Sequence, residues 1–293
     1  MSAGQPGPRR VAVRAPAKLN LGLRVAGRRA DGYHELDSLF VPIDWADDLV
    51  LEVAPAPAPR VALELEAGAI GVPAGGENLA ARAALAFLER AGLSLSAAIR
   101  LTKRIPAAAG LGGGSSDAGA ALRALSELCP GALAPVDLAE LALSLGADVP
   151  FFLDPRPARV RGIGERIEPL ADVAPMDCLL LHPGLSLSTA EVYRAFDALT
   201  PAGATPAPAQ GLAAAGAIDL SNDLEAAAVR LCPPVARLRE RLRSLSPVGI
   251  GMSGSGPTLF GIFPSAEAAA AAGRDLALEA PAWARVARSL GSG

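Results

Sequence analysis

The chain is poor in several of the residue types that carry chemistry. Of 27 basic residues only two, Lys18 and Lys103, are lysine. There are two tyrosines, Tyr33 and Tyr193, and two histidines, His34 and His182. A basic excess is missing too: the net charge is −3, without the positive footprint of nucleic-acid-binding proteins. The three cysteines, Cys129, Cys178 and Cys232, show neither a disulfide framework nor metal-ligand spacing, and read as buried free thiols of a reducing compartment. The opening stretch MSAGQPGPRRVAV lacks the apolar segment of a signal peptide. No apolar run reaches the ~18 residues of a membrane span. The expectation is a cytoplasmic protein with neither nucleic-acid nor membrane partners, in which each remaining Lys, Tyr and His is worth locating.

What the chain does have is apolar residues, 51% of 293, enough for a sizeable core in one large or two ordinary domains. Residues 1–10 read as a frayed tail. VAVRAPAKLNLGLRVAG alternates as strands broken at Pro16, and DSLFVPIDWADDLVLEV as two strands around a turn at DWADD. VALELEA and AAIRLTKRI are further strands. ENLAARAALAFLERAG, SSDAGAALRALSEL and PVDLAELALSLGADVP have helical spacing, the first ending at Gly92 and the third at Gly146. PARVRGIGERIEPL reads as a hairpin, MDCLLLHPG as a buried strand and STAEVYRAFDAL as a helix with a Ser/Thr cap. Residues 200–217 are low-complexity and read as a loop. PVGIGMSGSGPTLFGIF is two strands around a second glycine-serine turn. Strands and helices mix irregularly, as in an α+β architecture. The division falls between residues 1–165 and 166–293.

IPAAAGLGGGSSDAGAAL, residues 105–122, holds five glycines and leads into a helix. Glycine permits positive φ and close backbone approach, and a helix N-terminus offers unpaired N–H groups with a partial positive charge. Together they make an anion cradle, most often for phosphate. No Gly-Lys pair exists, which excludes a Walker A loop. A dinucleotide fingerprint running from Gly110 and Gly112 would need glycine at 115, where serine stands. A turn without a ligand needs only one or two glycines.

The segment of Pro106, Ala107, Ala108, Ala109, Gly110, Leu111, Gly112, Gly113, Gly114, Ser115 and Ser116 resembles the ATP-phosphate loop of the GHMP family of small-molecule kinases. APAKLNLGL (15–23) resembles that family's N-terminal motif, and GMSGSGPTLFGIF (251–263) its C-terminal glycine motif. Three motifs in order across nearly the whole chain are far more specific than one. RVAGRRADGYHELDSLF and LGADVPFFL resemble the branch acting on a CDP-linked methylerythritol, a step of non-mevalonate isoprenoid synthesis. The resemblance implies a two-domain α+β GHMP kinase fold, with a ribosomal S5 domain 2-like α/β N-terminal domain and a ferredoxin-like α+β C-terminal domain. The chain departs from the pattern at Gly119, where similar helices usually carry Ala; in a helix interior glycine costs up to about 1 kcal/mol.

By the same resemblance, ATP and Mg²⁺ are the cofactors, and Ser115 or Ser116 reaches the metal, with no other side chain assigned to it. Lys18 and Asp148 form the catalytic pair: a nearby ammonium favours an ionised carboxylate, ready to accept the substrate hydroxyl's proton. Tyr33 and Tyr193 belong to the cytosine pocket, with His34 on the base's polar edge and Asn20 on the tetritol hydroxyls. His182 reads as structural. Lys103 and Arg104 touch phosphate or are solvated, the solvated reading being favoured. The oligomeric expectation is monomer or homodimer. The rival readings are a homoserine- or mevalonate-type GHMP kinase and a non-catalytic ligand-binding regulator on the same fold.

Overall fold

The structure is a computed structural model and describes residues 8–66, 71–200, 213–214, 217–274, 276 and 278–292. The strands are β1 (Arg9–Arg28), β2 (His34–Pro55), β3 (Arg60–Leu65), β4 (Leu95–Thr102), β5 (Ala158–Gly162), β6 (Arg166–Pro169), β7 (Asp177–His182), β8 (Ala213–Ala214), β9 (Ala217–Ile218), β10 (Gly249–Met252), β11 (Leu259–Phe263) and β12 (Trp283–Arg288). The helices are α1 (Leu79–Arg90), α2 (Gly113–Leu128), α3 (Pro135–Leu145), α4 (Thr189–Leu199), α5 (Glu225–Leu231), α6 (Pro234–Ser244) and α7 (Ala266–Arg274).

Two compact units result, neither a single stretch of sequence. One comprises Met1–Ala17, Ala46–Ala107 and Gly112–Pro155; the other comprises Lys18–Trp45, Ala108–Leu111 and Arg156–Gly293. In the first, β3 runs parallel to β4, and β4 pairs antiparallel with the second half of β2, Leu51 opposite Ile99. Alternation decides the buried face: Leu49, Leu51 and Val53 of β2 join Ala97, Ile99 and Leu101 of β4 against α1 and α2. α2 is lined by Ala118, Gly119, Ala120 and Ala121, small enough for close packing. In the second unit the first half of β2 pairs with β5, and β5 and β6 form the expected hairpin. Its other sheet has the order β10-β11-β7-β12, all antiparallel. Leu179 and Leu181 of β7 pack there with Leu224, Val235 and Leu242.

Two expected breaks are absent. β1 runs through Pro16 without interruption. Its ladder partner among the described residues is β2, and a strand edge outside a ladder tolerates proline. β2 likewise runs straight through the acidic DWADD stretch. Asp44 accepts the backbone N–H of Arg288 at 2.9 Å, and Asp47 is fully buried with partners of its own. These carboxylates look like turn residues but are satisfied strand residues. Of the expected tail, residues 1–7 lie outside the described residues, while Arg9 and Arg10 belong to β1. Of the expected 200–217 loop, residues 201–212 and 215–216 lie outside them as well. The three cysteines are free and buried, and burial pushes the Cys178 thiol up to about 12. Among the described residues no helix is long and apolar enough to cross a membrane.

Candidate active site

The glycine loop connects β4 to α2 through three positive-φ residues, Ala108 (52°), Gly110 (76°) and Gly112 (70°). The glycines do different jobs. A Cβ on Gly110 would lie 2.4 Å from the Ser253 carbonyl oxygen and 2.8 Å from that of Gly256, so the second glycine turn is packed against it. Gly112 is the left-handed N-cap of α2. A Cβ on Gly113 would meet Ile105 Cγ2 at 2.9 Å, so this glycine serves the packing beneath the loop. Gly114 faces open space, with nothing within 4 Å of its would-be Cβ. It stands at the start of a 16-residue helix, where first-turn N–H groups lack intrahelical partners. An open glycine over a helix N-terminus is the kind of place where an anion can be held.

The two candidate serines separate. Ser116 is fully buried and its hydroxyl donates to the Pro16 carbonyl at 2.7 Å. Ser115 is half-buried on the first turn.

Lys18 is buried on β1, its ammonium 4.7 Å from the Phe40 ring centroid and donating to Asn20 Oδ1. Asn20 Nδ2 donates to Ser38 Oγ at 2.8 Å, and Ser38 donates onward to the Gly22 carbonyl. The Asn20 backbone N–H donates to Ser253 Oγ at 3.2 Å, and that hydroxyl donates to the Gly110 carbonyl at 2.8 Å. Thr258 Oγ1 donates to the Ala109 carbonyl at 2.6 Å. The C-terminal motif thus grips Ala109 and Gly110, and the Lys18 backbone N–H of the N-terminal motif holds the next residue by donating to the Leu111 carbonyl at 3.0 Å. Asn222 secures the second glycine turn by donating to the carbonyls of Met252 and Gly254, each at 2.8 Å. Asp148 is half-buried in the turn between α3 and the 3-10 turn Pro150–Leu153. Lys18 belongs to the second unit and Asp148 to the first.

The structure brings His34 and Tyr193 together. Their rings stack with centroids 4.8 Å apart and an interplanar angle of 22°, while Phe196 meets His34 edge-on at 6.1 Å. His34 Nε2 lies 2.7 Å from Asp197 Oδ1, which orients the ring with Nε2–H as donor. Tyr33 lies in the turn before β2, next to His34 in the chain, and is 60% exposed. His182 is structural: Nδ1 accepts the Gly184 N–H at 2.9 Å, the ring stacks on Trp283, and burial lowers its pKa to about 4.

The favoured reading of Lys103 as solvated is corrected. Its side chain is 5% exposed, donating to Asp47 and, at 2.7 Å, to Asp117. Arg104 is 45% exposed and pairs with Asp48 at 2.6 Å, so for it solvent and a surface ion pair coexist. Sequence reasoning missed Ser38, Asp47, Asp117, Asp197, Asn222 and Ser253. Ser253 lies within the C-terminal glycine motif, but no local pattern marks the others, since their partners are distant in the chain; Asp197 stands 163 residues from His34.

The family model for the GHMP kinases N terminal domain matches residues 78–154, and that for the GHMP kinases C terminal matches residues 209–281. The chain is 44% identical over 259 residues to the 4-diphosphocytidyl-2-C-methyl-D-erythritol kinase of Symbiobacterium thermophilum, covering 86% of this chain and 90% of that protein. It is 45% identical over 272 residues to the enzyme of the same name from Thermus thermophilus, covering 92% and 94%. A crystal structure of 4-(cytidine 5'-diphospho)-2C-methyl-D-erythritol kinase matches with a TM-score of 0.79 at 43% identity, over 97% of this chain and all (100%) of that one. A homoserine kinase from Cytophaga hutchinsonii matches at a TM-score of 0.71 and 21% identity, over 96% and 95%, which is a likeness of fold. The chain belongs to the GHMP kinase family, ATP-using phosphotransferases with the two-domain α+β fold of that family. Within it, the chain falls among the relatives of 4-diphosphocytidyl-2-C-methyl-D-erythritol kinase.

Proposed function

We propose that the chain transfers the γ-phosphoryl group of ATP to the 2-hydroxyl of 4-diphosphocytidyl-2-C-methyl-D-erythritol, in the cytoplasmic non-mevalonate route to isoprenoids. The observation that carries the substrate is the His34–Tyr193 stack held by Asp197, an aromatic pair that a small amino or hydroxy acid does not require. Phosphoryl transfer needs alignment and charge neutralisation more than covalent chemistry from the protein. The first-turn N–H groups of α2 and the open face of Gly114 receive the phosphates. Asp148 takes the proton of the 2-hydroxyl as its oxygen attacks the γ-phosphorus and the bond to ADP breaks. Lys18, oriented by Asn20, stabilises the charge that develops between them. Tyr193 stacks on the cytosine, with Tyr33 and His34 at the same pocket.

Mg²⁺ would neutralise phosphate charge. No cluster of three or more His, Cys, Asp or Glu side chains suited to a metal exists among the described residues. That suits a cation held chiefly by phosphates and water. With the Ser116 hydroxyl committed to Pro16, Ser115 is the protein group that would join it.

An ADP-release assay with ATP, with and without Mg²⁺, tests the reading against a panel of the cytidyl substrate, homoserine and mevalonate. Turnover with the cytidyl substrate alone is expected. Turnover with homoserine or mevalonate in its place, or none with any, rejects the assignment.

A further inference from the structure

One ionic cluster of the first unit has no part in the scheme above: Asp47, Lys103 and Asp117, with side-chain exposures of 0, 5 and 3%. Lys103 follows the last residue of β4, and Asp117 lies one turn into α2. The glycine loop is the chain between them. Lys103 donates to one oxygen of Asp47 and to Asp117 Oδ2 at 2.7 Å. The other oxygen of Asp47 accepts the backbone N–H groups of Arg104 and Ile105, the latter at 2.8 Å. Gly113 is pressed on the same spot, its would-be Cβ 2.9 Å from Ile105 Cγ2 and 3.4 Å from Lys103 Nζ.

We propose that this cluster is a clasp across the base of the phosphate loop, and that Asp117 is a positioning residue acting on ATP through Lys103. This rests on reading residues 106–116 as the ATP-phosphate loop. Asp47 holds the strand end, Lys103 bridges, and Asp117 holds the helix start. The loop's ends are therefore tied by the chain's own side chains, with no bond drawn from nucleotide. Pre-tying reduces the conformational freedom that binding must remove. Two carboxylates and one ammonium without access to water are a poor source of stability, because the desolvation penalty offsets the attraction. Here their geometry is what matters. Asp117 Oδ1 has no hydrogen-bond partner. Burial and the Asp47 charge raise the Asp117 carboxyl above its ordinary range, against the lowering effect of Lys103.

The test compares Asp117→Ala with Asp117→Asn, which keeps an oxygen for Lys103. Hydrogen exchange of the 107–114 amides is measured without nucleotide, with affinity for the non-hydrolysable analogue AMP-PNP plus Mg²⁺ and KM for the cytidyl substrate. Asp117→Ala should speed loop exchange at least about tenfold, leaving the amides of β7 and β11 unchanged. It should weaken AMP-PNP at least about fivefold and leave the cytidyl KM within about twofold. Asp117→Asn should stay near wild type in all three. Unchanged loop exchange in Asp117→Ala overturns the clasp. So does faster exchange with unchanged AMP-PNP affinity, equal loss on the ATP and cytidyl sides, or an Asn variant as damaged as the Ala one. If Asp117→Ala does not fold, Asp117→Ser, whose oxygen sits closer to the backbone, replaces it under the same criteria. Protection of 107–114 by AMP-PNP in the wild-type protein checks the loop reading separately: its absence removes nucleotide from the loop whatever Asp117 does.

Discussion

Gly119 in the middle of α2 lies so close to Phe152 that a Cβ on it would sit 2.5 Å from Phe152 Cβ and 2.8 Å from the Phe152 carbonyl oxygen. The glycine that weakens the helix locally is what lets the 3-10 turn after Asp148 pack on α2. Gly119→Ala should therefore destabilise the protein. It gains at most about 1 kcal/mol of helix propensity, while overpacking against backbone costs about 1–3 kcal/mol. Urea midpoints decide the sign, and a higher midpoint for the variant would mean that the Phe152 turn yields freely.

Asp148→Asn should lower kcat about 10²- to 10⁴-fold, the usual contribution of a positioned general base, with ATP affinity nearly intact. Single-turnover kinetics and nucleotide binding measure the two separately. A variant keeping half of wild-type kcat would remove Asp148 from the proton transfer.

Gly113 and Gly114 are neighbours with opposite surroundings, and they give a paired test of the cradle. Gly114→Val adds a side chain to open space at the N-terminus of α2, so it should weaken ATP sharply while the melting temperature moves little. Gly113→Val drives a branched carbon into Ile105, so it should lower the melting temperature as well. A folded Gly114→Val protein with unchanged ATP affinity would place the cradle elsewhere.

Tyr193 should be readable in KM. Base–aromatic stacking is worth about 1–3 kcal/mol, so Tyr193→Ala should raise the cytidyl KM at least about fivefold, with the ATP KM barely moved. Tyr193→Phe keeps the ring and should be mild. His34→Gln should also raise the cytidyl KM, since it removes the ring that stacks on Tyr193. Equal weakening of ATP in Tyr193→Ala would mark a packing residue instead.

His182 gives a pH test of stability. Its pKa is about 4 in the folded protein, held down by burial, against about 6.5 in an unfolded chain. Between those values the unfolded chain holds the proton and the folded one does not, so stability should fall as pH drops through that window. His182→Asn, whose amide oxygen can still accept the Gly184 N–H, should flatten that part of the profile. Urea midpoints above and inside the window check it, and an undiminished slope would assign the pH dependence to other groups.

The sequence by itself determined the elements whose cause is local: the glycine loop, the capped helices, the β5–β6 hairpin and the alternating strand β3. Positive φ, helix caps and a period of two are properties of neighbouring residues, so they can be read without the fold. The motif resemblance, spread over nearly the whole chain, carried the family. Tertiary structure decided what depends on partners far apart in the chain. Asp47 reads as a turn residue until Lys103, 56 positions on, neutralises it inside an unbroken strand. Lys103 reads as solvated until Asp117 and Asp47 enclose it. Gly113 and Gly114 are the same letter twice, and only the position of Ile105 separates packing glycine from open glycine. A buried charge or a close contact is set by what the rest of the chain brings to it, and that is not a property of the residues on either side.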